Sequence, residues 1–121
     1  MPVSRIPAFI EVCNGAVRDV LPTADFVIFG HVGDGNLHYS VVEAAGADAP
    51  LLKAKEAAIT RVIFDTVMAY GGSISAEHGV GRLKRDELAR LRPPAATDAM
   101  RAIKRALDPQ GVMNPGRVVT V

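Results

Sequence analysis

The sequence predicts an α+β domain in which helices cover one face of a small antiparallel sheet, with further helices at the C-terminal end. Two long stretches, residues 4–21 and 51–70, repeat apolar side chains at helical spacing. Between them lie two runs of β-prone residues, 25–29 and 36–43, joined by a short glycine-rich turn. A hairpin flanked by long amphipathic helices is the layer arrangement of α+β proteins.

Each element follows from the residues in order. Ser4 is expected to cap the first helix, since a hydroxyl there accepts a main-chain N–H that the helix leaves over, and Pro7 falls in the first turn, where a missing N–H costs little. Ile6, Phe9, Ile10, Cys13, Val17 and Leu21 share one face, and Pro22 ends the helix. Asp25-Phe26-Val27-Ile28-Phe29 is the strongest strand in the chain; the second, Asn36 to Glu43, carries Tyr39, Val41 and Val42. Residues 46–50 read as a loop. Leu51 to Tyr70 is the clearest helix, with Leu52, Ile59, Val62, Ile63, Val67 and Tyr70 on one broad stripe, and Gly71-Gly72 stops it by taking a left-handed conformation. A second glycine-rich loop covers residues 71–81. Basic helices are expected near 83–91 and 96–107, separated by Pro93-Pro94. Asp108-Pro109-Gln110-Gly111 ends the last one, and Asn114-Pro115-Gly116 precedes a final Val118-Val119. Two strands are too few for an independent sheet, so either short strands are hidden or the chain is part of something larger.

Composition narrows the classes. The 121 residues are 49% hydrophobic and 22% charged, which excludes a disordered chain and suits one globular domain. The longest run of strong hydrophobes, Phe26 to Phe29, is far short of a membrane span, and Met1-Pro2-Val3-Ser4 has neither the basic start nor the apolar stretch of a signal peptide. The single cysteine, Cys13, excludes an internal disulfide and suits a reducing, cytoplasmic setting. A net charge of +1 gives no global drive toward nucleic acid. The charge is unevenly spread, however: residues 82–105 hold eight basic and three acidic side chains. That stretch suits an anionic ligand or another domain, although solvated helix faces are the plainer expectation.

All three histidines fall in the two glycine-rich segments, which also hold seven of the 11 glycines. The first reads Gly30-His31-Val32-Gly33-Asp34-Gly35-Asn36-Leu37-His38. If Asp34-Gly35 is a two-residue hairpin turn, His31 faces His38, and facing residues have Cβ atoms about 4.5–5.5 Å apart. Imidazoles that close can converge on one divalent cation. The second segment, Gly71-Gly72-Ser73-Ile74-Ser75-Ala76-Glu77-His78-Gly79-Val80-Gly81, offers Glu77 as a third, oxygen ligand and leaves His78 beside it as a base. Two histidines and one carboxylate with open positions form a common catalytic metal set. The alternative is that both loops merely turn the chain and the histidines cap or pack. A stand-alone metal-binding module and a small metal-dependent hydrolase, with Glu77 or His78 as base, also remain open.

The two runs just quoted, with Asp108-Pro109 and Asn114-Pro115-Gly116 after them, resemble the FAD-linked oxidase C-terminal domain family. Its members include flavin-dependent D-lactate and D-2-hydroxyglutarate dehydrogenases and the glycolate oxidase flavoprotein subunit. The resemblance implies a ferredoxin-like half of a cap domain over residues 1–92 and a helical segment over 93–121 that returns to an FAD-binding domain absent from this sequence. It also implies that His31, His38 and Glu77 bind a divalent metal, usually zinc, that holds a small 2-hydroxy acid. His78 would remove the hydroxyl proton, while Asn114 would touch the isoalloxazine of FAD. Ser40 stands where many members, particularly those using dicarboxylates, carry asparagine. Apolar surface left bare by a missing partner would invite association, a homodimer included.

Overall fold

The structure is a computed structural model that describes residues 1–43 and 50–121. The chain forms two compact units, Met1–Ser73 and Ile74–Val121. The loop expected over 46–50 lies outside the described residues except for Pro50, which opens a helix.

In the Met1–Ser73 unit a 3-10 turn, Val3–Arg5, runs straight into helix α1, Ile6–Val20. Ser4 sits inside that turn and caps nothing. The Arg5 N–H already donates to the Pro2 carbonyl at 3.0 Å and that of Ile6 to Val3, while Pro7 has no N–H to offer. Helix α1 buries Ile6, Phe9, Cys13 and Val17, and Leu21 continues the same face. Phe9 lies at the centre, edge-on to Tyr39 at 5.9 Å and to Tyr70 at 5.8 Å between ring centroids.

Strands β1, Ala24–Phe29, and β2, His38–Glu43, pair antiparallel, with Phe26 opposite Val41, Ile28 opposite Tyr39 and Phe29 opposite His38. Alternation turns Ala24, Phe26, Tyr39 and Val41 toward the core and Val27, Phe29 and Val42 to solvent. Helix α2, Pro50–Ala69, adds Ile59 to the core, with Leu52, Val62, Ile63, Val67 and Tyr70 packed around it. The stripe read from the sequence is therefore the one that packs. Gly71, at φ +71°, reverses the chain after α2, and Gly72 donates back to the Val67 carbonyl at 2.8 Å. The expected layer holds: an antiparallel hairpin with both long helices on its inner face.

The Ile74–Val121 unit contains α3, Arg85–Leu91, and α4, Pro94–Leu107. Arg92, ahead of a proline, is extended, and α4 starts two residues earlier than expected because Pro94 takes the first helical position, where a missing N–H is harmless. Leu88, Thr97, Asp108 and Val119 are its buried residues. Helix α4 is inverted relative to an ordinary surface helix. Met100, Ile103 and Leu107 are exposed, whereas Arg101 and Lys104 are half-buried on the side of Thr97 and Asp108.

Candidate functional site

The first glycine–histidine segment links β1 to β2. Gly30 leaves β1 at φ +147°, where an added Cβ would lie 2.6 Å from the Asn36 carbonyl oxygen. The two sides of the turn approach too closely there for any side chain. Val32–Asp34 then form a 3-10 turn, closed by Gly35 in the left-handed region at φ +70°. The His31 carbonyl accepts two N–H groups, from Asp34 at 2.9 Å and Asn36 at 3.2 Å.

This corrects the expected two-residue turn. Such a turn, of type I′ or II′, needs positive φ at its first central residue; Gly35 has positive φ, but Asp34, the first, does not. Asp34 instead completes the 3-10 turn, and the register moves by two residues. His38 stands opposite Phe29 rather than His31, its ring stacked on Phe29 at 5.0 Å with planes 10° apart. His31 is exposed and His38 half-buried, at the two ends of one turn.

The second segment opens the Ile74–Val121 unit. Ser75 Oγ donates to the Gly79 carbonyl at 2.7 Å and so bridges the exposed Glu77-His78 pair. Lys84 Nζ donates to the Ile74 carbonyl at 2.9 Å, and the Gly81 carbonyl accepts the Val118 N–H at 2.8 Å. The loop bearing Glu77 and His78 is thus tied at one end to the approach of α3 and at the other to the C-terminal tail.

That tail also carries Asn114, exposed and left-handed at φ +47°, a conformation asparagine tolerates better than most residues. On one side of it, buried Asp108 accepts Lys104 Nζ at 2.5 Å and the N–H groups of Val112 at 3.0 Å and Met113 at 2.9 Å. The Lys104 ammonium, then those two N–H groups, hold the Asp108 carboxyl below the usual carboxylate range. On the other side Arg85 Nη1 donates to the Gly116 carbonyl at 3.1 Å. Sequence reasoning read Asp108 as a helix stop and as part of a family motif, and Arg85 only as charge. The signal that could have found Asp108 is Lys104, one helical turn earlier.

An open groove of about 400 Å³ lies in the Met1–Ser73 unit, lined by Tyr39, Val41, Leu52, Ile59 and Ile63 with Lys53 and Glu56. None of the expected site residues lines it. Among the described residues no three of histidine, cysteine, aspartate or glutamate gather into a group that would hold a metal ion; His31 and His38 belong to the Met1–Ser73 unit and Glu77 to the Ile74–Val121 unit. For a flavin the match is local. The exposed carboxamide of Asn114 offers a donor and an acceptor to a polar ring edge, but the glycine-rich turn after β1 leads into a strand, not the helix N-terminus that receives a dinucleotide's diphosphate. Among the described residues no helix is long and apolar enough to cross a membrane.

The family model for the C-terminal domain of FAD linked oxidases matches residues 1–118. The D-2-hydroxyglutarate dehydrogenase of Stutzerimonas stutzeri is 43% identical over 116 residues, 96% of this chain and 25% of that protein. Mitochondrial D-2-hydroxyglutarate dehydrogenases of Bos taurus and Arabidopsis thaliana are 38% and 34% identical over 81% and 98% of this chain. The chain spans a quarter or less of the length of these relatives. With the fold and motifs above, the match over nearly its whole length places the chain in the FAD-linked oxidase C-terminal domain family.

Proposed function

We propose that this chain is the substrate-binding part of an FAD-dependent dehydrogenase that oxidises a D-2-hydroxy acid to the 2-oxo acid. The observation that carries it is the similarity to D-2-hydroxyglutarate dehydrogenases over 96% of the chain. It favours redox chemistry over a metal-dependent hydrolase or a stand-alone metal module. Residues 1–92 serve the substrate side, and 93–121 meet an FAD-binding part held elsewhere. A cytoplasmic location belongs to the same reading.

His78 acts as the base. Its place in an exposed loop, bridged by Ser75 and Gly79, lets a small acid approach, and a neutral imidazole there takes the hydroxyl proton. Bound FAD supplies the acceptor for the hydride that leaves the same carbon as its C=O bond forms. Asn114 orients the ring edge through its carboxamide. The same reading gives His31, His38 and Glu77 a divalent cation, zinc foremost, on donor chemistry alone.

The test is dye reduction with D-2-hydroxyglutarate and other D-2-hydroxy acids by the chain together with its FAD-binding part, with metal content measured alongside. His78→Ala is expected to lower kcat by roughly 10²–10⁴-fold and keep the wild-type metal content. His38→Ala is expected to lose the metal. Full turnover by His78→Ala removes that residue from the chemistry, and equal metal loss in both variants makes it a ligand.

A further inference from the structure

The C-terminal tail is held by charge as well as by its buried Val119. Asp108, 4% exposed, sends no contact outward: its Oδ1 accepts Val112 N–H, and its Oδ2 accepts Met113 N–H and Lys104 Nζ. Lys104 Nζ donates as well to the Met113 carbonyl. Both main-chain polar groups of Met113 therefore end on one ion pair, one residue before Asn114. An ion pair whose carboxylate is buried is an expensive way to gain stability, since apolar residues of similar volume often serve as well. What it supplies is direction, because each hydrogen bond fixes an angle as well as a distance.

We propose that Asp108 and Lys104 are positioning residues for Asn114, fixing the direction in which the Asn114-Pro115-Gly116 turn presents its carboxamide to the flavin. The proposal rests on the flavin-facing reading of Asn114. Asp108→Asn turns one acceptor oxygen into a donor, which opposes either the Val112 N–H or both the Met113 N–H and the Lys104 ammonium. Lys104→Met keeps the carboxylate but releases the Met113 carbonyl.

The test uses the FAD-loaded enzyme that carries this chain, with Asn114→Ala as reference. Asp108→Asn is expected to shift the flavin visible band in the same direction as Asn114→Ala. It should also lower kcat by about 10-fold, the scale of a small misplacement, with KM within about twofold. The double variant should be no worse than Asn114→Ala alone, because the pair acts through that residue. If Asp108→Asn does not load flavin, Lys104→Met carries the same test. Wild-type band and kcat in Asp108→Asn, beside changes in Asn114→Ala, overturn the proposal, and so do losses that multiply in the double variant. An unchanged band in Asn114→Ala overturns the flavin reading of Asn114 and takes this proposal with it.

Discussion

Single residues decide the site at its narrowest points. Gly30 is where the strand after the turn comes so near that an added methyl would meet the Asn36 carbonyl at 2.6 Å, the Leu37 Cα at 3.1 Å and the His38 nitrogen at 3.2 Å. Gly30→Ala must open the mouth of the turn or strain its own backbone. A cost of roughly 1–3 kcal/mol is expected, read as a lower urea midpoint, with the amide resonances of His31 and His38 displaced. An unchanged midpoint would show that the turn yields freely. Cys13 is the opposite kind of position. It is fully buried, and burial pushes its thiol up despite hydrogen bonds with Tyr39 and Thr66. Folded protein should react with a thiol-specific disulfide reagent only as fast as it unfolds.

Among the elements, α1 does most to hold the Met1–Ser73 unit together. Its face from Ile6 to Val17 packs against both α2 and the hairpin, and Phe9 lies edge-on to Tyr39 of β2 and to Tyr70, the residue after α2. Phe9→Ala removes that keystone and leaves a cavity between three elements; a loss of about 3–5 kcal/mol is expected in chemical unfolding. A loss below about 1 kcal/mol would mean that the helices collapse onto the space. Helix α4 works differently, turning Arg101, Lys104 and its terminal Asp108 inward while Ile103 and Leu107 stay exposed. Arg101 Nε donates to the Thr120 carbonyl at 3.2 Å, so even the end of the tail is held by a cation.

Over the whole molecule the two units answer pH in opposite ways. Asp108 has its folded pKa lowered, so its contribution is full above the unfolded value near 3.9 and is lost as pH falls through the folded one. Cys13 and Tyr39 have theirs raised, chiefly by burial, so their contribution is full below the unfolded values, near 8.5 and 10, and is lost as pH rises through the folded ones. Acid should loosen Ile74–Val121 first and alkali Met1–Ser73 first. Both tyrosines, Tyr39 and Tyr70, lie in the latter unit, so tyrosine fluorescence reports on it, and the Val112 and Met113 amide signals report on the former. Loss of both signals at the same acid pH would defeat the assignment. Half of the basic side chains in the stretch 82–105 also gain a role at this scale. Lys84, Arg85, Arg101 and Lys104 turn to main-chain carbonyls of the loop and tail, while Arg82, Arg90, Arg92 and Arg105 are exposed.

The sequence by itself determined the elements and the faces they bury. Helical spacing, strand alternation and the stop at Gly71 depend on neighbours a few residues apart, and Phe9, Cys13, Val17 and Ile59 all lie where that spacing put them. The glycine–histidine runs were equally legible as turns, and Gly30, Gly35, Gly71, Gly79 and Gly81 all take positive φ. The facing of His31 and His38 was not, because two turns compete for the same residues. The conformation of Asp34 and the two N–H groups on the His31 carbonyl choose between them. Nor did the sequence show that Asp108 is buried or that Lys84, Arg85, Arg101 and Lys104 point at carbonyls. A charged side chain's partner is fixed by where the chain returns in space, and only the tertiary structure brings Met113, Gly116 and Thr120 back to the cations that hold them.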